Sequence, residues 1–315
     1  MTKLTTLFII FLFSSILLFI KSSNASTTYN VLTFGAKPNG QTDATQPFLN
    51  AWGAACTSVE PTTIYVPKGR YLIKEATFRG PCKNKIIVKI DGTLVAPLDY
   101  WDIGNSGYWI LFIKVNGISV IGGNIDAKGD GFWACRKSGN NNCPVGARSI
   151  TFNWANDVVI SGLLSINSQV THLVINSCNN VMVKNVKIIA PDQSPNTDGI
   201  HVQSSTNVTI IGCRIKTGDD CISIGPGSDN GLRIKSWARP STSFVKNINY
   251  RNIVMKYVDN PIIIDQNYCP NSQDCPQQKD EGNSLREMQL DDLHHLVPVE
   301  EAIHLDIEPK TENVV

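Results

Sequence analysis

The chain of 315 residues carries almost no excess charge: 28 Lys and Arg stand against 27 Asp and Glu, a net charge of +1. Nothing in bulk electrostatics therefore draws it to nucleic acid or to a membrane surface. Its nine cysteines and five histidines contain no Cys-x-x-Cys and no cluster at zinc-ligand spacing, so the usual sequence case for a structural metal is missing. A bilayer-spanning run is missing too, because the long apolar stretch from Leu7 to Ile20 is broken by Ser14 and Ser15 and falls short of the ~20 residues that a crossing needs. Sustained 3.6-residue periodicity is also scarce. The apolar runs are short and β-branched, which excludes a helical-repeat architecture.

What is present begins with a leader. A basic start, the apolar stretch and the small-residue exit Ser23-Asn24-Ala25 read as a secretory signal over 1–25, with a membrane anchor as the alternative. A secreted chain is permitted disulfides. Cys135 with Cys143, and Cys269 with Cys275, are close pairs in Gly/Asn/Pro-rich loops, and Cys56 with Cys82 forms a third candidate. Cys178, Cys213 and Cys221 lie in strand-like runs and read as buried thiols. Asn207-Val208-Thr209 is a glycosylation sequon, which requires an exposed Asn. Charge is unevenly placed: residues 270–315 hold 11 Asp and Glu against 3 Lys and Arg, so the body is moderately basic and suits an acidic polymer.

One pattern recurs. NDVVISGLLSI from Asn156, NVMVKNVKI from Asn180, NVTIIGCRI from Asn207 and NINYRNIVM from Asn247 share an Asn, alternating apolar residues, and a central Gly or Asn. NGISVIGGNI from Asn116 is a looser copy. The copies make Val158, Val181, Val208 and Ile248 equivalent, and likewise Gly162, Asn185, Gly212 and Asn252. A second short strand follows each copy, with Leu173, Ile200, Ile222, Leu232 and Ile262 equivalent. Strand alternation points these into a stacked core and turns Val174, His201, Ser223, Arg233 and Ile263 the other way. Repeats of this length built of short β-runs and Asn/Gly turns predict an all-β, parallel β-helix, with a flat sandwich as the structural alternative. Thr42 to Cys56 predicts the one clear helix, capped by Thr42 or Asp43, with Phe48, Leu49, Trp52 and Ala55 on its apolar face. It would cover the N-terminal end of the solenoid.

The repeat stumbles once. Leu173 to Ile200 is 27 residues, Ile200 to Ile222 is 22 and Leu232 to Ile262 is 30, but Ile222 to Leu232 is 10. Ten extended residues reach at most ~35 Å, about half of a coil's perimeter at ~3.3 Å per residue. The expectation is that GLRIK does not stack on CISIG as the next parallel rung. About two coils are missing between 227 and 230.

Asp198 and Asp220 occupy equivalent repeat positions, and Asp219 sits beside Asp220. On adjacent rungs, ~4.8 Å apart, three carboxylates would share one outward patch. That arrangement serves general acid/base chemistry. A calcium site or polar turn capping uses the same residue types.

NTDGIH (196–201), GDDC (218–221) and RIK (233–235), in this order on this repeat, resemble the plant polygalacturonases, family 28 of the glycoside hydrolases. VLTFGAKPNGQTDATQPFLNAW, GGNIDAKGDGFWAC and NPIIIDQNYCP extend the resemblance over 29–276. It implies a right-handed parallel β-helix that hydrolyses α-1,4-galacturonosyl bonds of de-esterified pectin, with inversion and without a cofactor or metal. By the same resemblance Asp219 is the general acid, Asp198 and Asp220 activate water, and Arg233 and Lys235 bind substrate. His201 lines the cleft. Read alone, Arg233 and Lys235 are an ordinary solvated strand face, and His201 is equally a hydrogen-bonded structural histidine. An inverting pair is expected to stand ~6.5–9.5 Å apart.

The sequence departs from the family twice. A Gly-His-Gly motif expected between GDDC and RIK is absent; the histidines are His172, His201, His294, His295 and His304. The acidic stretch 277–315 is read as a tail unlike the family, with Leu285, Met288, Leu293 and Leu296 on one side of a short helix. Three functions follow: a pectin hydrolase of impaired activity, a pectin-binding protein without turnover, and a truncated product without a stable fold. The first expects a monomer secreted to the cell wall, with polygalacturonate as partner and neither nucleic acid nor membrane.

Overall fold

The computed structural model describes 27–191, 194 and 197–224 in full, and the strands 232–237, 245–256, 262–268 and 285–296 as backbone. The signal region 1–25 lies outside the described residues. Cys269 and Cys275, expected from their spacing to form a local disulfide, also lie outside them. The disulfides among the described residues are the other two expected pairs, Cys56 with Cys82 and Cys135 with Cys143.

Every strand pairing is parallel, and the chain winds through three sheet faces per coil. The first face stacks Thr27–Asn30, Thr62–Val66, Ile86–Ile90, Asn116–Ile121, Asn156–Ser161, Asn179–Lys184 and Thr206–Ile211, then Val245–Lys256. The second runs from Asn39–Asp43 to Arg214–Lys216 and joins the first through Val245–Lys256. The third stacks Ala76–Arg79, Tyr108–Ile113, Arg148–Asn153, Leu173–Asn176, Ile200–Gln203, Ile222–Ile224, Leu232–Trp237 and Ile262–Tyr268. This is the expected parallel β-helix. The predicted equivalences hold as ladder partners: Val158 pairs with Val181, Val181 with Val208, and Val208 with Ile248. The loose copy falls in line as well, with Ile118 opposite Val158.

The repeat works because alternation and turns agree. Inward Val158, Val181 and Val208 are buried, as are Leu173, Ile200 and Ile222. Gly162, Asn185 and Gly212 take φ of 67°, 53° and 64°, the left-handed conformation that Gly and Asn tolerate best. The axis of the solenoid holds an aromatic ladder. Phe78 stacks on Phe112 at 4.9 Å and Phe112 on Phe152 at 5.0 Å, close to the rung spacing of ~4.8 Å. Phe112 touches neighbours on both sides, so its truncation to Ala would cost ~3–5 kcal/mol.

The helix Thr45–Thr57 lies over the N-terminal end, with Phe48, Ala51, Trp52 and Ala55 buried and Leu49 partly so. Trp52 meets Phe78 and Phe112 at 5.3 and 5.6 Å. The helix starts later than the sequence suggested. Its N-cap position is Ala44, and Asp43 instead accepts from the backbone N and the hydroxyl of Thr45 at 2.9 and 2.6 Å. The Cys56–Cys82 disulfide ties the end of this helix to the coil beneath, and Cys135–Cys143 closes a surface loop. Cys178, Cys213 and Cys221 are buried free thiols.

Two expectations are overturned. Leu232–Trp237 does pair with Ile222–Ile224 in parallel, placing Leu232 opposite Ile222, Arg233 opposite Ser223 and Ile234 opposite Ile224. The two strands share one alternation of apolar and polar residues, so this register matches like with like. Pairing also gives an otherwise open ladder edge its hydrogen-bond partners. Local pattern sets this register despite the short step. The second correction concerns Leu285–Leu296, which is a strand paired with Val245–Lys256 rather than a helix. Its Leu285, Met288, Leu293 and Leu296 fall opposite Val245, Ile248, Ile253 and Lys256.

Candidate active site

The site forms where two coils meet. Strands Ile200–Gln203 and Ile222–Ile224 are ladder neighbours, with Ile200 opposite Ile222 and His201 opposite Ser223. The turns that lead into them carry Asp198 and Asp219-Asp220. Backbone bonds lock the two turns together: Gly199 N donates to the Asp220 carbonyl at 2.8 Å and Ile200 N to the Cys221 carbonyl at 3.0 Å. The coil before is joined likewise, through His172 N to the Asp198 carbonyl at 3.0 Å. Gly199 is required by crowding, since a Cβ there would overlap the Cys221 carbonyl and the Ile215 methyl.

The result is convergence. Carboxylate oxygens of Asp198, Asp219 and Asp220 lie within 4.8 Å of one another. Asp220 is fully buried, which corrects the expectation of three outward carboxylates. Asp198 and Asp219 are half-buried. The oxygens come this close because two of the acids are sequence neighbours and the third is one rung away. The Asp219 carboxylate accepts from the Asp220 backbone N at 2.7 Å. Thr217 donates its hydroxyl to the Asp219 carbonyl at 3.0 Å.

A side-chain chain runs out of the cluster. The Ser223 hydroxyl donates to Asp198 Oδ2 at 2.9 Å, and His201 Nδ1 meets the same hydroxyl at 2.8 Å. His201 thus stands in the outward column beside the acids. Ser223 carries no motif in the sequence; its one signal was its place in the column of His201. Arg233 is opposite Ser223 in the backbone register, one further rung along, and Lys235 is opposite Asp265. Close beneath the acids, burial pushes the Cys221 thiol up to about 11; the Thr217 hydroxyl opposes this, and the charges of Asp220 and Asp198 add to it.

A second buried acid lies apart from the trio. Asp126 takes 2.8 Å and 3.6 Å contacts from Lys128 and Arg70, and Asn167 Nδ2 donates to it at 3.0 Å. Burial alone would raise its pKa, but the bonds from Lys128 and Asn167 and the Lys128 charge bring it below the usual carboxylate value. This group braces adjacent coils. Asn207 is exposed, its amide donating to Asn180 Oδ1 at 3.1 Å.

A parallel β-helix with a carboxylate trio at a coil junction is the architecture of a polysaccharide-processing solenoid. The comparisons make this specific. The family model described as "Glycosyl hydrolases family 28" matches residues 56–230 and 226–314, and the chain belongs to that family. A polygalacturonase of Prunus persica is 42% identical over 347 aligned positions, covering 95% of this chain and 88% of its own. An exopolygalacturonase of Arabidopsis thaliana is 35% identical over 296 positions, covering 78% of this chain and 68% of its own. The polygalacturonase structure of Erwinia carotovora superposes with a TM-score of 0.60 at 18% identity, over 86% of this chain and 93% of that one. That likeness supports the right-handed parallel β-helix alone.

The form of these matches bears on the short step. The family match comes in two stretches that meet at 226–230, where the repeat is interrupted. The Prunus persica alignment has 347 positions against a chain of 315 residues, so the relative has residues with no counterpart here. The second stretch of the family match also takes in most of the acidic segment that sequence reading set apart.

Proposed function

We propose that this protein hydrolyses the α-1,4 bonds of polygalacturonate as a secreted, monomeric cell-wall enzyme. The observation that carries the reading is the convergence of Asp198, Asp219 and Asp220 within 4.8 Å in a chain of family 28. Asp219, half-buried beside two other carboxylates, is the acid that protonates the leaving oxygen. Asp198 and the buried Asp220 take a proton from the attacking water. Arg233 and Lys235 pair with uronate carboxylates, Arg with two parallel bonds. Without the segment that would carry Gly-His-Gly, turnover is reduced.

The test is release of new reducing ends from polygalacturonate by the purified chain, compared with Asp219→Asn. Turnover in the wild type, lost in the variant, supports the reading. Salt-sensitive binding of polygalacturonate with no turnover would sink it in favour of a binding protein.

A further inference from the structure

We propose that Trp154 and Lys114 form a distal sugar-binding platform for an acidic glycan, on the rim of the third face that lies N-terminal to the carboxylate trio. The inference deepens the functional reading above and rests on it.

The argument starts from a regularity of the turns. Four third-face strands connect to the next first-face strand through two residues: Lys114-Val115, Trp154-Ala155, Ser177-Cys178 and Ser204-Ser205. The second residue of each pair is buried. The first is left-handed in every case, with φ of 56°, 50°, 53° and 48°. Small or flexible polar residues occupy three of these first positions. The fourth holds a tryptophan.

A bulky side chain at positive φ is an outlier that costs of order 1–3 kcal/mol. Core packing does not offset this cost, because Trp154 is 52% exposed. Its ring instead lies under the Lys114 ammonium, 6.0 Å from the centroid, at the outer limit of a cation–π contact. A strained, solvent-facing aromatic beside a cation has no structural task here, and strain of this kind clusters at ligand sites.

The pair matches one ligand chemistry. The C–H bonds of a pyranose face are slightly positive and pack on an indole face. An ammonium a few ångströms away suits the carboxylate of a uronate ring. The platform also connects to the acids. Asn153, Asn176 and Gln203 line the same outer face in register, and Asn176 donates to Asn153 Oδ1 at 2.8 Å. This row of amides leads from Trp154 to His201, which contacts Ser223 and through it Asp198. Trp154 is two rungs from the Asp198 coil, ~10 Å along the axis, and level with Ser204, six residues or up to ~20 Å across the face from Asp198. A disaccharide held at the acids does not reach it, whereas a hexasaccharide does.

The experiment titrates oligogalacturonates of two to eight rings into the full secreted chain and into Trp154→Asn and Lys114→Gln. Asn suits the left-handed turn, so W154N is expected to melt no lower than the wild type. The proposal expects W154N to weaken hexamer and octamer binding about 10-fold and to leave the dimer unchanged. Lys114→Gln should weaken free-acid octamers but not methyl-esterified ones. Unchanged octamer affinity in W154N, or an equal loss at every length, overturns the platform while leaving the hydrolase reading intact. A wild type that binds no oligogalacturonate of any length overturns both.

Discussion

Ser223 and Asp198 sit on adjacent rungs and are joined by a 2.9 Å hydrogen bond from hydroxyl to carboxylate. The bond fixes which way the Asp198 oxygens face and ties His201 to the cluster. A hydrogen bond to a charged group is worth about 1.5–3 kcal/mol, or roughly 10–100-fold in rate. Ser223→Ala is therefore expected to lower kcat by that factor with KM little changed, and Ser223→Thr to recover part of it. Steady-state kinetics on polygalacturonate would check this; an unchanged kcat in S223A would remove Ser223 from the site.

Gly199 makes a separate prediction, because its backbone holds the two acid-bearing turns together while its missing Cβ lets the Cys221 carbonyl and Ile215 close in. Gly199→Ala should push the rungs apart, costing about 1–3 kcal/mol through overpacking and more than 10-fold in activity. Urea denaturation and turnover read the two effects separately. A variant as stable and active as the wild type would show that the turns have room for a methyl group.

His172 should set part of the acid limit of the fold. It is fully buried, its Nδ1 meets the Ser165 hydroxyl at 2.8 Å, and Nε2 has no partner among the described residues. Burial lowers its pKa from 6.5 to about 3. The folded state thus binds the proton less well than the unfolded chain does. The stabilisation from the neutral ring is complete above pH 6.5 and is lost as the pH falls from there towards 3, by up to about 1.4 kcal/mol per unit. His172→Gln should flatten the fall of the urea midpoint between about pH 7 and pH 4. An identical slope in both proteins would contradict the assignment.

The close spacing of the carboxylates makes the stereochemistry worth measuring. Inverting pairs stand ~6.5–9.5 Å apart and retaining pairs ~5–5.5 Å, carboxyl to carboxyl, and an approach of single oxygens within 4.8 Å is compatible with either. On the proposed roles, in which Asp198 and Asp220 hold the attacking water, the reaction inverts the anomeric centre. Proton NMR of early product should show the β anomer first. The α anomer appearing first would assign a nucleophilic carboxylate.

Much of this architecture is legible in the sequence, because a solenoid writes its register into one dimension. Val158, Val181 and Val208 could be aligned by eye, and that alignment alone brought Asp198 next to Asp220. Burial was harder to read. Asp220 has the same sequence signature as its neighbour, yet the turn encloses one and leaves the other half open. Ser223 was visible as an outward residue, but the identity of its partner depends on the geometry of the turn before it. The length argument against stacking Leu232 on Ile222 failed, because the shared apolar–polar alternation of the two strands governs their pairing. The segment from Leu285 has apolar residues that fit a helical stripe or a strand, and its partner Val245–Lys256 makes the choice.

The aromatic ladder of Phe78, Phe112 and Phe152 has one further consequence. Within the ladder each ring stacks on the storey above and the storey below, so the unit of change in such a molecule is the whole storey. A lineage that drops one removes a floor without disturbing the foundations, and the damage is confined to whatever was built across the lost landing. The trio lies on the landing directly before 226–230, where the two stretches of the family match meet. A change of storey at that landing would therefore meet the chemistry of the trio before it met the aromatic floor beneath.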